Sequence, residues 1–345
     1  MLISLAFVII CSVLEKPQVS DSDIAGCLES AFGLRVREIS FLALGADPDS
    51  AVYRVVAEDE VPYFLKLRRG DMDKAAVAVP RFLSDQGIEQ IIAPLATETG
   101  QLWTNLPPFK LTLYPFVEGH NGYEVRMSEQ QWEQFGATLK SFHSTRVPSE
   151  LTDGVKHETF SARWRETVKS HLVRIEDVTF REPVAAEMAA FLRSRRDETL
   201  ALVQRAEQLA LELQANPPNF ILCHGDIHGW NLLIDVPGNL YVIDWDTLIF
   251  APKERDLMFI GAGLGDSGYT LREEETLFYR GYGQTYVHRI AIAYYRYERI
   301  IEDIAVSCIL IFLSDEGGKD RRRSFENLKS NYLPNSTIEV ALRSG

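Results

Sequence analysis

Residues 219–246, NFILCHGDIHGWNLLIDVPGNLYVIDWD, restrict the fold of this chain more than any other segment. Two short apolar runs, 232–236 and 240–243, flank the turn Pro237-Gly238-Asn239. Apolar runs of this length around a turn that contains Gly and Asn predict an antiparallel β-hairpin. The turn that leads into the first strand contains His, Gly and Asp residues. Polar side chains that can take part in chemistry therefore lie next to a hairpin that can hold them in place.

Two polar side chains stand at the ends of the predicted hairpin. Asn231 is at the entry of the first strand and Asp244 at the exit of the second. Pairing of the strands therefore brings an amide oxygen and a carboxylate side by side. Mg²⁺ prefers oxygen ligands and commonly takes one or two protein groups together with substrate phosphates. We predict that Asn231 and Asp244 bind Mg²⁺.

The turn before the hairpin offers one carboxylate and two histidines. Asp226 lies in this turn, where it can face a phosphate acceptor, orient its hydroxyl and take its proton as the phosphoryl group leaves ATP. His224 is predicted to fix the loop by hydrogen bonds. For His228, contact with phosphate or substrate, support of the loop and simple solvation stay open, and we include it among the substrate-binding candidates.

The spacing of these residues resembles a known phosphotransferase motif. His-Gly-Asp-x-His-x-x-Asn at 224–231, followed by Ile-Asp-Trp-Asp at 243–246, is similar to the motif of the aminoglycoside phosphotransferase and choline kinase family. The resemblance implies a protein-kinase-like bilobal α+β fold, with an antiparallel-sheet N-terminal lobe and a mainly helical C-terminal lobe. It also implies a small-molecule kinase that uses ATP and Mg²⁺ and has an alcohol group as acceptor.

The order of predicted elements agrees with such a fold. Before residue 115 we expect a short helix from Asp21, strands at 36–44, 51–57, 63–67, 102–103 and 109–114, and a helix at 73–86 interrupted by Pro80. Later helices are expected from Ser128, where Gln131 completes a capping box, and at 161–175 and 183–213. The predicted divisions are an apolar N-terminal extension (1–19), an ATP-binding lobe (20–114), a hinge (115–122) and a catalytic and substrate-binding lobe (123–345).

The resemblance also implies an ATP lysine on the third strand of the first lobe. Lys66 occupies that place and is expected to hold the α- and β-phosphates. The family's partner acid lies on the following helix, but no Glu occurs between Leu67 and Arg81. The available carboxylates are Asp71 and Asp73, of which we favour Asp73 as the partner of Lys66.

Further ATP contacts follow from the same resemblance. The turn at 45–50 lacks a Gly-x-Gly-x-x-Gly pattern, but Ser50 can present a hydroxyl to ATP; an ordinary hairpin turn is the alternative. At the hinge, adenine is expected to meet the carbonyl of Pro115, which has no N–H, and the N–H of Val117. Asp256 matches the family aspartate that supports the catalytic loop from the start of a helix.

Longer stretches resemble one branch of the family, the spectinomycin phosphotransferases. They include IDWDTLIFAPKERDLMFIGAGLG at 243–265 and YYRYERIIEDIAVS at 294–307. The implied reaction transfers the γ-phosphoryl group of ATP to a hydroxyl of a small cationic aminocyclitol antibiotic, spectinomycin, and confers resistance.

An acceptor with ammonium groups needs acidic side chains around it. The candidates are Asp246, Glu298 and Glu302, with the tyrosines at 294, 295 and 297 as aromatic neighbours. A solvated helix face is the alternative for the residues near 300. Arg299 and Asp303 are four apart and fit an ordinary intrahelical ion pair.

The charge balance fits a cationic partner. Lys and Arg number 36 against 49 Asp and Glu, and the net charge of −13 repels nucleic acid and anionic membranes, although ordinary solubility explains it too. We expect neither nucleic-acid binding nor stable membrane association.

Four widely separated cysteines predict neither a disulfide framework nor a zinc site, and we expect a cytoplasmic protein. The apolar run at 2–14 favours an upstream start codon or an apolar extension over a signal peptide.

Two other functions stay open. A kinase for choline, homoserine or methylthioribose would use the same Asp226, Asn231 and Asp244. A catalytically weak nucleotide-binding regulator is suggested by the missing helix glutamate and the unusual N-terminus. A metal-dependent hydrolase is disfavoured because it would give no purpose to Lys66 and the hinge.

Overall fold

The computed structural model describes residues 16–44, 49–262, 268–313, 318–333 and 336–343. The apolar run at 2–14 and positions 45–48 of the turn before Ser50 lie outside the described residues. Within the described part of the chain, the largest sheet ends at Pro115 and helices predominate from Glu129 onward.

The N-terminal region consists of two helices and a five-stranded sheet. Its elements are α1 (Asp21–Phe32), β1 (Val36–Leu42), β2 (Ser50–Ala57), β3 (Pro62–Arg69), α2 (Lys74–Asp85), β4 (Thr104–Leu106) and β5 (Phe109–Pro115). The sheet is antiparallel throughout, in the order β1-β2-β3-β5-β4. Side chains of a strand alternate between the two faces of its sheet. Leu65 and Leu67 are therefore buried in the core that α1 covers, while Lys66 and Arg68 share the opposite face of β3.

Two predictions for this region were wrong in detail. Pro80 does not interrupt α2 but lies inside a continuous helix. Ala75, Val79 and Leu83 form one buried stripe of this helix, and packing of such a stripe outweighs the hydrogen bond that proline removes. The strand expected at 102–103 lies instead at Thr104–Leu106, where it pairs with the start of β5.

The remaining strands are short and form two further sheets. They are β6 (Gly119–Asn121), β7 (Lys156–His157), β8 (Ile221–Cys223), β9 (Leu232–Asp235), β10 (Leu240–Val242) and β11 (Ile249–Ala251). Their orders are β10-β9-β6 and β7-β11-β8. The antiparallel pairing of β9 with β10 confirms the predicted hairpin. Because β6 pairs with β9, the last part of the predicted hinge belongs to the hairpin sheet.

Helices make up most of the chain after β6. They are α3 (Glu129–Ser144), α4 (Arg163–Asp177), α5 (Pro183–Ser194), α6 (Arg196–Ala215), α7 (Glu254–Leu257), α8 (Leu271–Tyr282), α9 (Arg289–Phe312), α10 (Gly318–Ser330) and α11 (Thr337–Leu342). Ser128 and Gln131 form the predicted capping box at the start of α3. The helix expected at 183–213 is two helices that meet at Arg195.

Helix α9 lies at the centre of the helical region. It packs against α4, α6, α7, α10 and α11, and most of its residues are buried. The antiparallel N-terminal sheet and the mainly helical remainder confirm the predicted α+β fold class. Among the helices in the described part of the chain, none combines the length and the apolar character needed to cross a membrane.

Candidate active site

The hairpin brings the predicted metal ligands together. Between β8 and β9 the chain forms a loop that ends in a single 3-10 turn at Gly229–Asn231. The N–H of Ile243 donates to the carbonyl of Asn231 at 3.0 Å, so Asn231 and the residue after Ile243, which is Asp244, lie beside each other. The antiparallel pairing of the hairpin thus joins two groups that stand at its opposite ends in the sequence.

Asp256 supports the loop that precedes the hairpin. Its fully buried carboxylate accepts hydrogen bonds from the N–H of His224 at 2.8 Å and of Gly225 at 2.7 Å, and it contacts Nε2 of His143 at 2.9 Å. Burial alone would raise the pKa of Asp256, but the hydrogen bond and charge of His143 lower it below its ordinary value. The carboxylate therefore stays ionised beneath the loop and holds its backbone.

Gly225 is required by this local geometry. Its φ is 89°, a conformation that residues with a side chain rarely adopt, and an added Cβ would lie 2.2 Å from the carbonyl oxygen of Thr247. The loop consequently turns sharply between His224 and Asp226. His224 is buried, and its Nε2 contacts the carbonyl oxygen of Ile243 at 3.0 Å, which ties the loop to the hairpin as the sequence predicted for a loop-supporting residue.

The carboxylate of Asp226 is held at both oxygens. Oδ1 lies 2.7 Å from a guanidinium nitrogen of Arg299, and Oδ2 lies 3.2 Å from Nε2 of His228. Burial acts to raise the pKa of Asp226, but Arg299 and then His228 oppose it and lower the pKa below its usual range. Asp226 is therefore an ionised group with a fixed direction.

His228 belongs to the support of the loop. It is buried, and its Nδ1 accepts a hydrogen bond from the N–H of Trp230 at 3.2 Å while Nε2 faces Asp226. Its inclusion among the substrate-binding residues is therefore corrected: both ring nitrogens contact the loop itself. Of the three interpretations left open by the sequence, the structure favours support of the loop.

Asn231 and Asp244 fit a magnesium ion by the chemistry of their donors. The amide nitrogen of Asn231 donates to the carbonyl of Asp226 at 2.7 Å, which commits the nitrogen and directs the amide oxygen elsewhere. Asp244 has a φ of 63° and a half-exposed carboxylate. A residue with a side chain rarely has this backbone conformation, and such strain concentrates at functional sites.

Lys66 connects the N-terminal sheet with the hairpin. Its Nζ lies 2.6 Å from Asp246 and 3.3 Å from Asp244, and Arg68 lies 2.8 Å from the same oxygen of Asp246. Burial disfavours the charged lysine, but Asp244 and Asp246 outweigh it and raise the pKa of Lys66 above its ordinary value. A cation from β3 and two carboxylates from the hairpin therefore converge at one place.

Two predicted roles are corrected by these contacts. Asp73 does not pair with Lys66, because its carboxylate caps α2 by accepting from the N–H groups of Ala75 at 3.0 Å and Ala76 at 3.4 Å. Asp246 was expected on the acceptor side, but it faces Lys66 and Arg68. Trp245 between the two hairpin carboxylates packs into the core against His224 and Phe142, so both carboxylates point away from that core.

The remaining predicted ATP contacts lie along the N-terminal sheet. Ser50 is the first residue of β2 and stands opposite Arg68 of β3. Pro115 ends β5 opposite Tyr63, and Val117 follows two residues later, just before β6. Ser50 and Pro115 thus lie beside opposite ends of β3, and the roles of Ser50, Pro115 and Val117 remain predictions.

The acidic wall predicted on α9 is corrected in part. Glu298 is buried and lies 3.1 Å from the guanidinium of the equally buried Arg165, so it balances a charge within the core instead of facing a substrate. Burial, opposed by Arg165, raises the pKa of Glu298 to about 7. The tyrosines at 294, 295 and 297 are buried too. Glu302 is half-buried, and Asp303 forms the expected intrahelical ion pair with Arg299 at 3.2 Å.

Three residues of the site were missed from the sequence. Arg299 was interpreted only as the helical partner of Asp303, although it also contacts Asp226 across 73 positions of sequence. Arg68 had a detectable signal, because strand alternation places it on the face of Lys66. His143 showed none: a histidine in the last turn of a helix is ordinary, and its contact with Asp256 depends on the packing of α3 beneath the loop.

Comparisons with known proteins agree with this arrangement. Residues 38–298 match the phosphotransferase enzyme family. The chain is similar to the spectinomycin phosphotransferase APH(9)-Ia in complex with ADP and spectinomycin, with 33% identity, a TM-score of 0.88 and coverage of 95% of this chain and 99% of that one. The AMP-bound complex of APH(9)-Ia matches with 33% identity, a TM-score of 0.82 and coverage of 93% and 98%.

A more distant likeness comes from the protein StrN of Streptomyces griseus. It is 25% identical over 207 residues, which are 56% of this chain and 62% of the length of StrN. Amicoumacin kinase hAmiN, at 15% identity, a TM-score of 0.62 and coverage of 92% and 95%, shares the fold. Because the family match spans well over half of the chain and includes the whole loop and hairpin, this chain belongs to the phosphotransferase enzyme family.

Proposed function

We propose that this protein is an ATP- and Mg²⁺-dependent kinase that transfers the γ-phosphoryl group to a hydroxyl of an aminocyclitol antibiotic, spectinomycin, and thereby confers resistance. The observation that carries the proposal is the meeting of Lys66 from the N-terminal sheet with Asp244 of the hairpin, at 3.3 Å, beside the loop that holds Asp226 and Asn231. Phosphoryl transfer needs such a set: a cation for the phosphates, oxygen ligands for a metal, and a carboxylate for the acceptor.

The nucleotide is assigned to the N-terminal side of the site. We propose that residues 20–114 form the ATP-binding lobe and residues 123–345 the catalytic and acceptor-binding lobe. Lys66 would hold the α- and β-phosphates, Ser50 would lie near them, and the backbone of Pro115 and Val117 would bind adenine. ADP and AMP are the nucleotides in the similar APH(9)-Ia complexes, which supports ATP as the donor.

The metal is assigned to Asn231 and Asp244. Both offer oxygen atoms, and the strained backbone of Asp244 directs its carboxylate toward Lys66, where phosphates would lie. Bound Mg²⁺ would neutralise phosphate oxygens. Asp226 would orient the acceptor hydroxyl and receive its proton, while His224, His228 and Asp256 hold the loop in place.

The acceptor is assigned by likeness and supported by charge. The similarity to APH(9)-Ia covers 95% of this chain, and the matched structure of APH(9)-Ia contains spectinomycin. The net charge of −13 favours an acceptor that carries ammonium groups. We expect the enzyme in the cytoplasm, where ATP is available, as a protein without nucleic-acid or stable membrane partners.

An acceptor panel tests this proposal. Purified protein with Mg·ATP is offered spectinomycin, other aminoglycosides, choline, homoserine and methylthioribose. ADP release and acceptor phosphorylation are both measured, with the catalytically impaired Asp226→Ala as the control. We expect turnover of spectinomycin above all other acceptors. Turnover of choline or homoserine without spectinomycin would refute the antibiotic substrate and leave a metabolite kinase. Binding of Mg·ATP without phosphorylation of any acceptor would favour a regulator.

Lys66→Ala tests the nucleotide assignment. We expect a higher KM and dissociation constant for ATP and little change in the acceptor KM, because the ammonium is assigned to the phosphates alone. Isothermal titration with ATP and with adenosine separates the effects, since adenosine lacks phosphates and should lose no affinity. Arg69→Ala is the control: Arg69 follows on the same strand but lies over the ring of Phe109, 5.0 Å away. An unchanged KM for ATP in Lys66→Ala would refute the assignment.

A further inference from the structure

Arg299 is an arginine of α9 that reaches the loop of Asp226. One guanidinium nitrogen lies 2.7 Å from Oδ1 of Asp226, and only 12% of the Arg299 side chain is exposed. The two residues are 73 positions apart, so the contact depends on the docking of α9 against the loop. Charge-assisted hydrogen bonds of this length between partly buried partners are among the stronger polar contacts in proteins.

The guanidinium of Arg299 is itself fixed in place. Nε lies 3.2 Å from Oδ1 of Asp303, one helical turn later, and the guanidinium lies 5.7 Å from the centre of the Phe259 ring. Asp303 therefore holds the side chain from the helix, and Phe259 covers it from the segment after α7. An arginine restrained on two sides transmits a defined position to its third partner, Asp226.

Neighbouring arginines provide a contrast. Arg255 donates to the carbonyl of Gly225 at 2.9 Å, and Arg296 donates to the carbonyls of Met258 at 2.9 Å and Ile260 at 2.6 Å. Both stabilise backbone segments around the site. Arg299 differs from these two because its contact is with the carboxylate that the proposed function places against the acceptor hydroxyl.

A lone aspartate side chain rotates about two bonds, and its carboxylate direction is correspondingly loose. In this site His228 contacts Oδ2 at 3.2 Å from within the loop, and Arg299 contacts Oδ1 from a different helix. Two contacts from independent elements fix the plane of the carboxylate. Small displacements of a reacting group cost about 10²-fold in rate, so this restraint matters for turnover.

We propose that Arg299 is a positioning residue of the phosphotransfer reaction, which acts through Asp226 by fixing its carboxylate toward the acceptor hydroxyl. Asp303 holds Arg299 and offsets its charge, so that a cationic acceptor can approach Asp226 without facing an unbalanced guanidinium. This inference rests on the proposed acceptor-side role of Asp226. It predicts that Arg299 raises kcat by positioning Asp226, in addition to any contribution that Arg299 makes to the stability of α9.

A double-mutant cycle tests the inference. The rates of wild type, Arg299→Ala, Asp226→Ala and the double variant are measured in single turnovers with spectinomycin or with the acceptor that the panel identifies. We expect Arg299→Ala to lower kcat by about 10²-fold with ATP affinity unchanged. Residues that act as one unit are not additive, so the double variant should be no slower than Asp226→Ala alone. An additive loss in the double variant, or a normal kcat in Arg299→Ala, would overturn the inference.

Further variants separate positioning from folding. Arg296→Ala removes another arginine of α9, one that contacts backbone carbonyls instead of Asp226. This variant should have a lower thermal stability and a kcat near that of wild type. A kcat loss in Arg296→Ala equal to that in Arg299→Ala would contradict a specific role for Arg299. Added methylguanidinium should restore part of the kcat of Arg299→Ala and none of that of Asp226→Ala. If Arg299→Ala does not fold, Arg299→Lys replaces it in the same cycle, with a loss of about 10-fold expected.

The outcome also distinguishes this inference from the proposed function. A normal kcat in Asp226→Ala would refute the acceptor-side role of Asp226, on which both rest. An impaired Asp226→Ala together with a normal Arg299→Ala would leave the proposed function intact and refute only the positioning role of Arg299.

Discussion

Asp226→Ala is expected to lower kcat by about 10²- to 10⁴-fold, the range typical for loss of a positioned proton acceptor. The variant loses the carboxylate that orients the acceptor hydroxyl and takes its proton. Binding of ATP should persist, because the contacts assigned to the nucleotide lie on the N-terminal sheet and at Asn231 and Asp244. The test compares single-turnover rates and ATP dissociation constants of variant and wild type.

Asp226→Asn refines this prediction. The amide keeps the shape of the side chain but cannot accept the proton of an acceptor hydroxyl, so its kcat should also fall steeply. Asp153→Ala, which removes an exposed carboxylate in the turn after Leu151, serves as the control and should behave as wild type. Wild-type turnover in both Asp226 variants would show that the acceptor proton goes elsewhere.

The second large effect is expected for Asp244→Asn. Loss of one anionic oxygen from a two-residue set should weaken divalent-metal binding by about 10²-fold, which is the upper end of what changes around metal ligands cause. Asparagine is the appropriate replacement, because Asp244 has a φ of 63° and asparagine adopts that conformation more readily than most residues. Lost metal affinity can then be separated from backbone strain.

Metal binding is measured directly for this variant. Titration of the ADP complex with Mn²⁺, followed by electron paramagnetic resonance, gives the metal dissociation constant without turnover, and the Mg²⁺ dependence of the rate gives the functional counterpart. Asp235→Asn is the matched control, since Asp235 lies in the same hairpin at the far end of β9, where it caps the turn by contacting Asn239. Unaltered Mn²⁺ affinity in Asp244→Asn would remove Asp244 from the metal site.

Much of the fold could be predicted because its signals are local. Strands β1, β2, β3 and β5 begin and end within two residues of the predicted ones, since apolar runs and turns specify them directly. The capping box at Ser128 could be predicted for the same reason. The continuation of α2 through Pro80 could not be predicted from the sequence, because the energy that keeps this helix continuous comes from packing of its buried stripe and not from its own backbone.

In the candidate site, too, the contacts between residues close in sequence could be predicted, whereas those that depend on packing could not. Motif spacing within 219–246 predicted that Asn231 and Asp244 meet, and an antiparallel hairpin realises this by short-range pairing. Asp73, Glu298 and Asp246 were misassigned because a carboxylate in a sequence shows no direction. Asp73 bonds to the start of its own helix, Glu298 neutralises a buried arginine, and Asp246 faces two cations of β3.

By itself, the sequence determined the presence of the loop and hairpin, the lysine on the third strand and the resemblance to a phosphotransferase family. Only the tertiary structure decided which charges meet. Lys66 and Asp246 are 180 positions apart, and Arg299 and Asp226 are 73 apart. The physical reason is that hydrogen-bonded turns and strand pairs depend on neighbouring residues, whereas the partner of a buried charge depends on which helices and sheets pack together around it.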